Sequence, residues 1–286
     1  MKKIIQNIGL SLIISLMTAC SEEINLDIPQ GIPRLVVDGK IELNVETNET
    51  VVNVKLSTTA AYFDGGEPPF LSEVSASIYD ETGTIYPLTA QAPGIYGNRD
   101  LNGTIGAAYR LVITWNDERY EAETILLPVP MLQDIHQINQ EATFFDDAGI
   151  KLAVDFQDPV QEKNYYHFEQ YRNDSLLLTP TNGNQFQLII KDEFFNGQMV
   201  ESYIPGDEFS FLPGDLGRVK MRSLDKKAFN YYKLFYEKSV DEPSFIVGET
   251  PPVAIKGNII NQTTPDHYGL GYFLATQITT RSTNIE

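Results

Sequence analysis

Few residues in this chain are equipped for covalent or metal chemistry: one cysteine, Cys20, and three histidines, His136, His167 and His267. Nucleophilic catalysis needs a serine or cysteine, a base and an orienting group that meet in space. No Gly-x-Ser-x-Gly elbow and no glycine-rich phosphate loop is present, and the histidines fall at neither His-x-x-x-His nor His-Glu-x-x-His spacing. His136 stands between Ile135 and Ile138 in a short apolar stretch, and His167 is flanked by aromatics. Each reads as a surface or satisfied sheet residue. Asp146-Asp147, Asp155 with Asp158, and Asp192-Glu193 could offer oxygens to calcium, yet none fits the Asp-x-Asp-x-Asp-Gly loop with its closing glutamate. Turn roles suit all three, because aspartate bonds its own backbone there. Paired carboxylates could also act as acid and base in a hydrolase, but nothing in the pattern selects a pair. The expectation is no catalytic residue, no metal ligand set and no cofactor.

Aromatics are the remaining candidates for binding, since a ring buries much area at little entropic cost. Tyr165, Tyr166, Phe168 and Tyr171 form a dense run in which alternation puts Tyr166 and Phe168 on one face and Tyr165 and Tyr171 on the other. At least one set belongs to a core. Phe229, Tyr231, Tyr232, Phe235 and Tyr236 fit the packing of a helix on a sheet.

The N-terminus is arranged as a secretory leader. Lys2 and Lys3 precede an apolar run from Ile8 to Met17, then small Thr18 and Ala19. The run falls short of the roughly 20 apolar residues that span a bilayer. Leu16-Met17-Thr18-Ala19-Cys20 resembles the lipobox of bacterial lipoproteins, departing from it in Met17 where leucine is commonest. That resemblance implies that residues 1–19 are a signal peptide cut before Cys20. The Cys20 sulfur would take a diacylglycerol and its new amino group a further chain such as palmitate. One acyl chain binds a membrane only marginally and two or more hold it, so residues 20–27 are expected to be a lipidated tether. Ser21-Glu22-Glu23 resembles the acidic signal that sends Bacteroidota lipoproteins to the outside of the outer membrane.

The formal charge of the whole chain is −18; loss of Lys2 and Lys3 leaves 19 basic against 39 acidic residues, or −20. Such a balance argues against nucleic acid, whose phosphates demand neutralising lysine and arginine. With its only cysteine lipidated the folded part has no disulfide, so stability must come from a core that a chain of this length can build.

The elements are mostly strands. Val51 to Leu56, Val74 to Tyr79, Ala108 to Trp115 and Arg119 to Thr124 alternate apolar with polar, and Asp80-Glu81-Thr82-Gly83 and Asn116-Asp117 supply turns. This predicts an immunoglobulin-like β-sandwich over residues 28–127. Pro128-Val129-Pro130 favours an extended connector. Residues 131–286 are expected to form a second β-rich domain, with strands at Ile150–Phe156, Tyr165–Tyr171 and Phe186–Ile190. Gly269 to Ile278 reads as one or two closing strands. One helix is predicted near 224–238, where Leu224, Ala228, Tyr231 and Phe235 share a face, Ser223 can cap the start, and Asp241-Glu242-Pro243 stops it.

The order of these pieces resembles the Bacteroidota lipoprotein family defined by domain of unknown function 4249. The pieces are Leu35-Val36-Val37-Asp38-Gly39 and Val74 to Asp80 with Gly83 and Tyr86-Pro87-Leu88. Gly94-Ile95-Tyr96, Tyr109-Arg110-Leu111 and Asn164-Tyr165-Tyr166 follow. Asp192 to Gly197, the aromatic helix, Gly257-Asn258-Ile259 and Gly269 to Phe273 complete the set. The resemblance implies a surface lipoprotein of no established activity, often found with TonB-dependent outer-membrane receptors. The leading expectation is thus a non-enzymatic binding or accessory subunit on the outer membrane. An extracellular glycan binder, a structural or adhesive envelope protein and a carboxylate hydrolase stand as alternatives.

Overall fold

A computed structural model describes residues 31–60, 68–141, 148–160, 163–177, 188–206, 209–239 and 254–286. Cys20, Ser21, Glu22, Glu23, Asp146, Asp147 and the stop at Asp241-Glu242-Pro243 lie outside them. Pro33–Glu286 forms one compact unit. Its described residues are mainly β with a single α-helix.

Eight strands come from the first half of the chain: β1 (Leu35–Asn44), β2 (Thr50–Thr58), β3 (Ser75–Asp80), β4 (Ile85–Pro87), β5 (Thr89–Ala92), β6 (Ile95–Gly97), β7 (Ala108–Trp115) and β8 (Glu118–Ile125). Their alternation is carried into burial: Val52, Val54 and Leu56 are inside, Val51, Asn53 and Lys55 outside. The β7–β8 hairpin turns on Asn116 and Asp117, both left-handed with φ of 49° and 59°. A two-residue type I′ turn demands this of its central pair, and Asn and Asp tolerate it best after glycine.

The second half supplies β9 (Leu132–Gln140), β10 (Gly149–Gln157), β11 (Tyr165–Arg172), β12 (Ser175–Leu176), β13 (Ile189–Lys191), β14 (Met199–Tyr203) and β15 (Leu216–Leu224). Helix α1 (Lys226–Ser239), β16 (Ile260–Asn261) and β17 (Leu270–Asn284) follow. The strands make three sheets. A nine-stranded sheet runs β12-β11-β15-β17-β1-β2-β6-β5, with β13 beside β11; the others are β16-β8-β7-β3-β4 and β14-β10-β9.

One strand joins the two halves. β17 lies parallel to β1 and antiparallel to β15, and its consecutive side chains point to opposite faces. Phe273 and Ala275 enter a core built from β1, β2, β3, β7 and β8. Tyr272 and Leu274 enter a second core with Leu152, Val154, Phe156, Phe168 and Met221. The tail expected as one or two strands is this single 15-residue strand. Its pairing with β1 is close because three backbones meet there. A Cβ on Gly271, whose φ is +90°, would overlap the Val37 carbonyl, and one on Gly257 would overlap that of Gly271.

The helix begins later than the sequence predicts. Leu224 is still paired with Tyr165 as the end of β15, so Ser223 is a strand residue. Asp225 caps instead, its Oδ1 accepting the Ala228 amide at 2.6 Å; Asp is among the strongest N-cap residues. Ala228 and Tyr236 are buried against the sheet, while Tyr232 lies 4.7 Å from the His167 ring. These three are spaced by four residues and form the inward stripe. No helix among the described residues is long and apolar enough to cross a membrane.

Candidate functional site

A cleft runs between α1 and the outer face of the β16-β8-β7-β3-β4 sheet. Its sheet wall follows from alternation: Tyr120, Ala122 and Thr124 of β8 point inward, which turns Glu121, Glu123 and Ile125 outward. Arg110 of β7 joins them, 5.2 Å from the Tyr79 ring and 3.9 Å from the Glu121 carboxylate. The opposite wall is α1, through Lys227, Tyr231 and Leu234, and Tyr272 of β17 closes the floor. Two adjoining cavities of about 510 and 680 Å³ share Glu123, Lys227, Asn258 and Tyr272 in their walls, within the roughly 300–1,000 Å³ usual for ligand sites.

Asn258 holds the cleft's shape. Its Oδ1 accepts the Phe273 amide at 2.8 Å, and its Nδ2 donates to the carbonyls of Phe273 at 2.8 Å and Glu123 at 3.2 Å. It thereby ties β17 to β8. Burial, with Asp38 nearby, pushes the Tyr231 hydroxyl up to about 12, and burial likewise raises Tyr272. Both remain protonated donors at neutral pH. The cleft offers rings, hydroxyl donors and charges of both signs. Among its described lining residues there is no serine, cysteine or histidine; its ionisable groups are carboxylates such as Glu121, Glu123 and Asp225, with Arg110, Lys227 and Lys256.

Beneath α1 lies a separate, buried charge network spanning β1, β17, β15 and β11. Arg222, 1% exposed, reaches Glu169 Oε2 at 2.7 Å and Glu42 Oε1 at 3.0 Å. Lys220 Nζ donates to Glu42 Oε2 at 2.6 Å, and the Tyr171 hydroxyl donates to Glu169 at 2.7 Å. Burial alone would raise the Glu42 and Glu169 carboxyls, but the guanidinium of Arg222 and then Lys220 outweigh it, and both stay below the usual carboxylate range. His167 is held well below its ordinary value, by burial first and Arg222 second. It is neutral, and its tautomer follows from its partners. Arg222 can only donate to Nδ1 at 3.1 Å, so Nε2 carries the proton toward the Tyr236 hydroxyl at 2.7 Å. His167 is thus the satisfied sheet residue the sequence suggests.

The other sequence candidates separate. Asp158 is buried and accepts from the Tyr166 hydroxyl and the Gly197 amide. Asp192 accepts the Asn164 amide, and Glu193 pairs with Lys191. Neither set is an assembled calcium loop. His267 Nδ1 lies 3.1 Å from Glu118, a hub that also takes hydrogen bonds from the Tyr120 hydroxyl and Asn261. The aromatic strand is absorbed by packing: Tyr166 and Phe168 are fully buried, Tyr165 lies 4.9 Å from Phe229, and Arg218 covers the Tyr171 ring at 4.6 Å. Asp155, by contrast, faces outward beside Asp134 and His136, and the ligand atoms of the three lie within 4.8 Å of one another. The set follows neither a helical nor a loop ligand spacing, so the sequence does not point to it. Its one local sign is Asp134-x-His136, a spacing that puts both on one face of a strand.

A family model described as Domain of unknown function (DUF4249) matches residues 21–282. No curated protein matches the chain.

Proposed function

The chain belongs to the family described as Domain of unknown function (DUF4249), and from that premise we propose that it is a lipid-anchored outer-membrane protein acting as a non-enzymatic binding or accessory subunit. The cleft between β8 and α1 carries this reading. It is large enough for a peptide segment or small ligand, lined by rings and both charge signs, and held open by Asn258 rather than by mobile side chains alone. Leu16 to Cys20 and Ser21-Glu22-Glu23 support an anchor at Cys20 and exposure at the cell surface. In this reading residues 28–127 are an immunoglobulin-like module, and residues 131–286 are the second domain. The shared nine-stranded sheet keeps the two from moving apart. The partner class proposed is an outer-membrane receptor of the TonB-dependent kind.

Affinity co-purification from detergent-solubilised native membranes tests this. The wild-type protein is expected to enrich an outer-membrane receptor, and Lys227→Glu with Leu234→Glu, both exposed on the cleft wall, to reduce that enrichment at least tenfold. Enrichment of no envelope protein by the wild type would overturn the reading. Protease shaving of intact cells, with Cys20→Ala and lysed-cell controls, separately checks exposure: protection until lysis would place the protein in the periplasm instead.

A further inference from the structure

The outer face of the β14-β10-β9 sheet gathers three side chains that the proposed function leaves unused. Asp134 and His136 are two apart on β9, and Ile135 between them packs into the second core, so both point outward. On β10, Asp155 stands directly opposite Asp134, and the small Ala153 stands opposite His136. One imidazole nitrogen and one oxygen from each carboxylate lie within 4.8 Å of one another. Metal bonds of about 2.0–2.2 Å to histidine nitrogen and carboxylate oxygen call for ligand atoms roughly 3–4 Å apart, which small side-chain rotations would reach.

Two features set this cluster apart from ordinary surface carboxylates. Like charges directly opposite on neighbouring strands destabilise a sheet. Yet among the described residues no lysine or arginine forms an ion pair with Asp134 or Asp155, in contrast to Glu42 and Glu169 with their Arg222 and Lys220. Moreover, both register shifts of β10 fall at Asp155: against β9 between Asp155 and Phe156, and against β14 between Val154 and Phe156. Such bulges re-aim a side chain. Across the bulge Ser202, in a left-handed conformation with φ 56°, donates its amide to Asp155 Oδ1 at 2.7 Å, and its hydroxyl sits 3.0 Å from His136 Nε2. The Ile135 amide donates to Asp134 Oδ1 at 2.8 Å. Among the described residues, no hydrogen-bond donor reaches the second oxygen of either carboxylate.

We propose that Asp134, His136 and Asp155 bind a first-row divalent transition metal, represented by zinc. The mixed donor set decides the class: imidazole nitrogen favours zinc and its neighbours, whereas all-oxygen sites suit calcium and magnesium. Three protein ligands leave at least one position for water or an external group. The site lies on a different sheet from the cleft wall and stands independently of the reading given to the cleft.

The test is equilibrium dialysis of the full-length chain in detergent against zinc chloride with calcium and magnesium in excess, with metal content read by mass spectrometry. One zinc per chain is expected. His136→Ala and Asp155→Asn should each weaken binding at least tenfold, with unchanged far-ultraviolet circular dichroism. Zinc should also raise the melting temperature of the wild type and not that of His136→Ala. Cobalt in place of zinc should give visible d–d bands that His136→Ala abolishes. Less than one zinc per ten chains, uptake undiminished in both variants, or retention of calcium in place of zinc would each overturn the proposal.

Discussion

Two regions of this molecule hold the same ingredients, a pair of carboxylates and a histidine carried on strands of one sheet. Beneath α1 are Glu42, Glu169 and His167; on the partly exposed outer face of the β14-β10-β9 sheet are Asp134, Asp155 and His136. In the buried set the chain supplies its own cations. Arg222 and Lys220 balance the two carboxylates charge for charge, and the histidine stays neutral between Arg222 and Tyr236. In the exposed set no lysine or arginine among the described residues plays that part. The contrast shows why residue types alone do not define a site. A carboxylate pair whose counter-charge is built into the fold is architecture, and one whose counter-charge is missing invites a cation from solution. Burial enforces the difference, because an unpaired charge under the helix would cost several kcal/mol, while Asp134 is exposed and Asp155 half-buried, so that water reaches and partly screens them.

The largest effect should come from removing the built-in cation. Arg222→Ala leaves the largely buried Glu42 and Glu169 to share Lys220 as their one cation and is expected to lower unfolding free energy by about 3–5 kcal/mol, measured by urea denaturation. A loss under about 1 kcal/mol, the scale of surface pairs, would erase the distinction between the two regions.

Glu118 tests an intermediate arrangement, a carboxylate stabilised by hydrogen-bond donors beside His267. The Tyr120 hydroxyl, followed by Thr264, His267 and Asn261, outweighs partial burial and holds its pKa near 2 against an ordinary 4.5. Since the folded value is depressed, its contribution is complete above pH 4.5 and is lost as pH falls toward 2. Glu118→Gln should therefore flatten the pH dependence of melting temperature across that window and leave its slope above pH 5 unchanged. An unaltered acid limb would assign acid sensitivity to the buried set alone. The smallest effect is expected at the exposed pair. In metal-free protein Asp134→Asn relieves the repulsion with Asp155 and should stabilise by roughly 0.2–1 kcal/mol, whereas destabilisation would mean that the pair is already compensated.

How much of this was legible in the sequence depends on how far each partner lay along the chain. The first-half strands and their Asn116-Asp117 turn were readable because alternation and turn chemistry are local. Strand β15 went unread since Lys220 and Arg222 look like solvent-facing residues. Glu42, 178 residues from Lys220, and Glu169 on the neighbouring strand make their burial tolerable. The start of α1 was misplaced for a related reason: Leu224 suits a helix, but its pairing with Tyr165 keeps it in the sheet. Of the metal candidate, Asp134-x-His136 was visible as a spacing, while Asp155 joins it only through strand register. The cleft walls were likewise assembled from β8 and α1, which lie about a hundred residues apart. The glycine-bearing pieces around Val37, Gly257 and Gly271 were noticed as a pattern. Their reason, three backbones in contact, belongs to the fold.

The contrast between the two regions is tested most directly by anomalous X-ray scattering at the zinc edge, from crystals of the protein grown with zinc. The account predicts a peak bounded by Asp134, His136 and Asp155, and none among Glu42, Glu169 and Arg222. Absence of density at the first position, or a peak at the second, would contradict it.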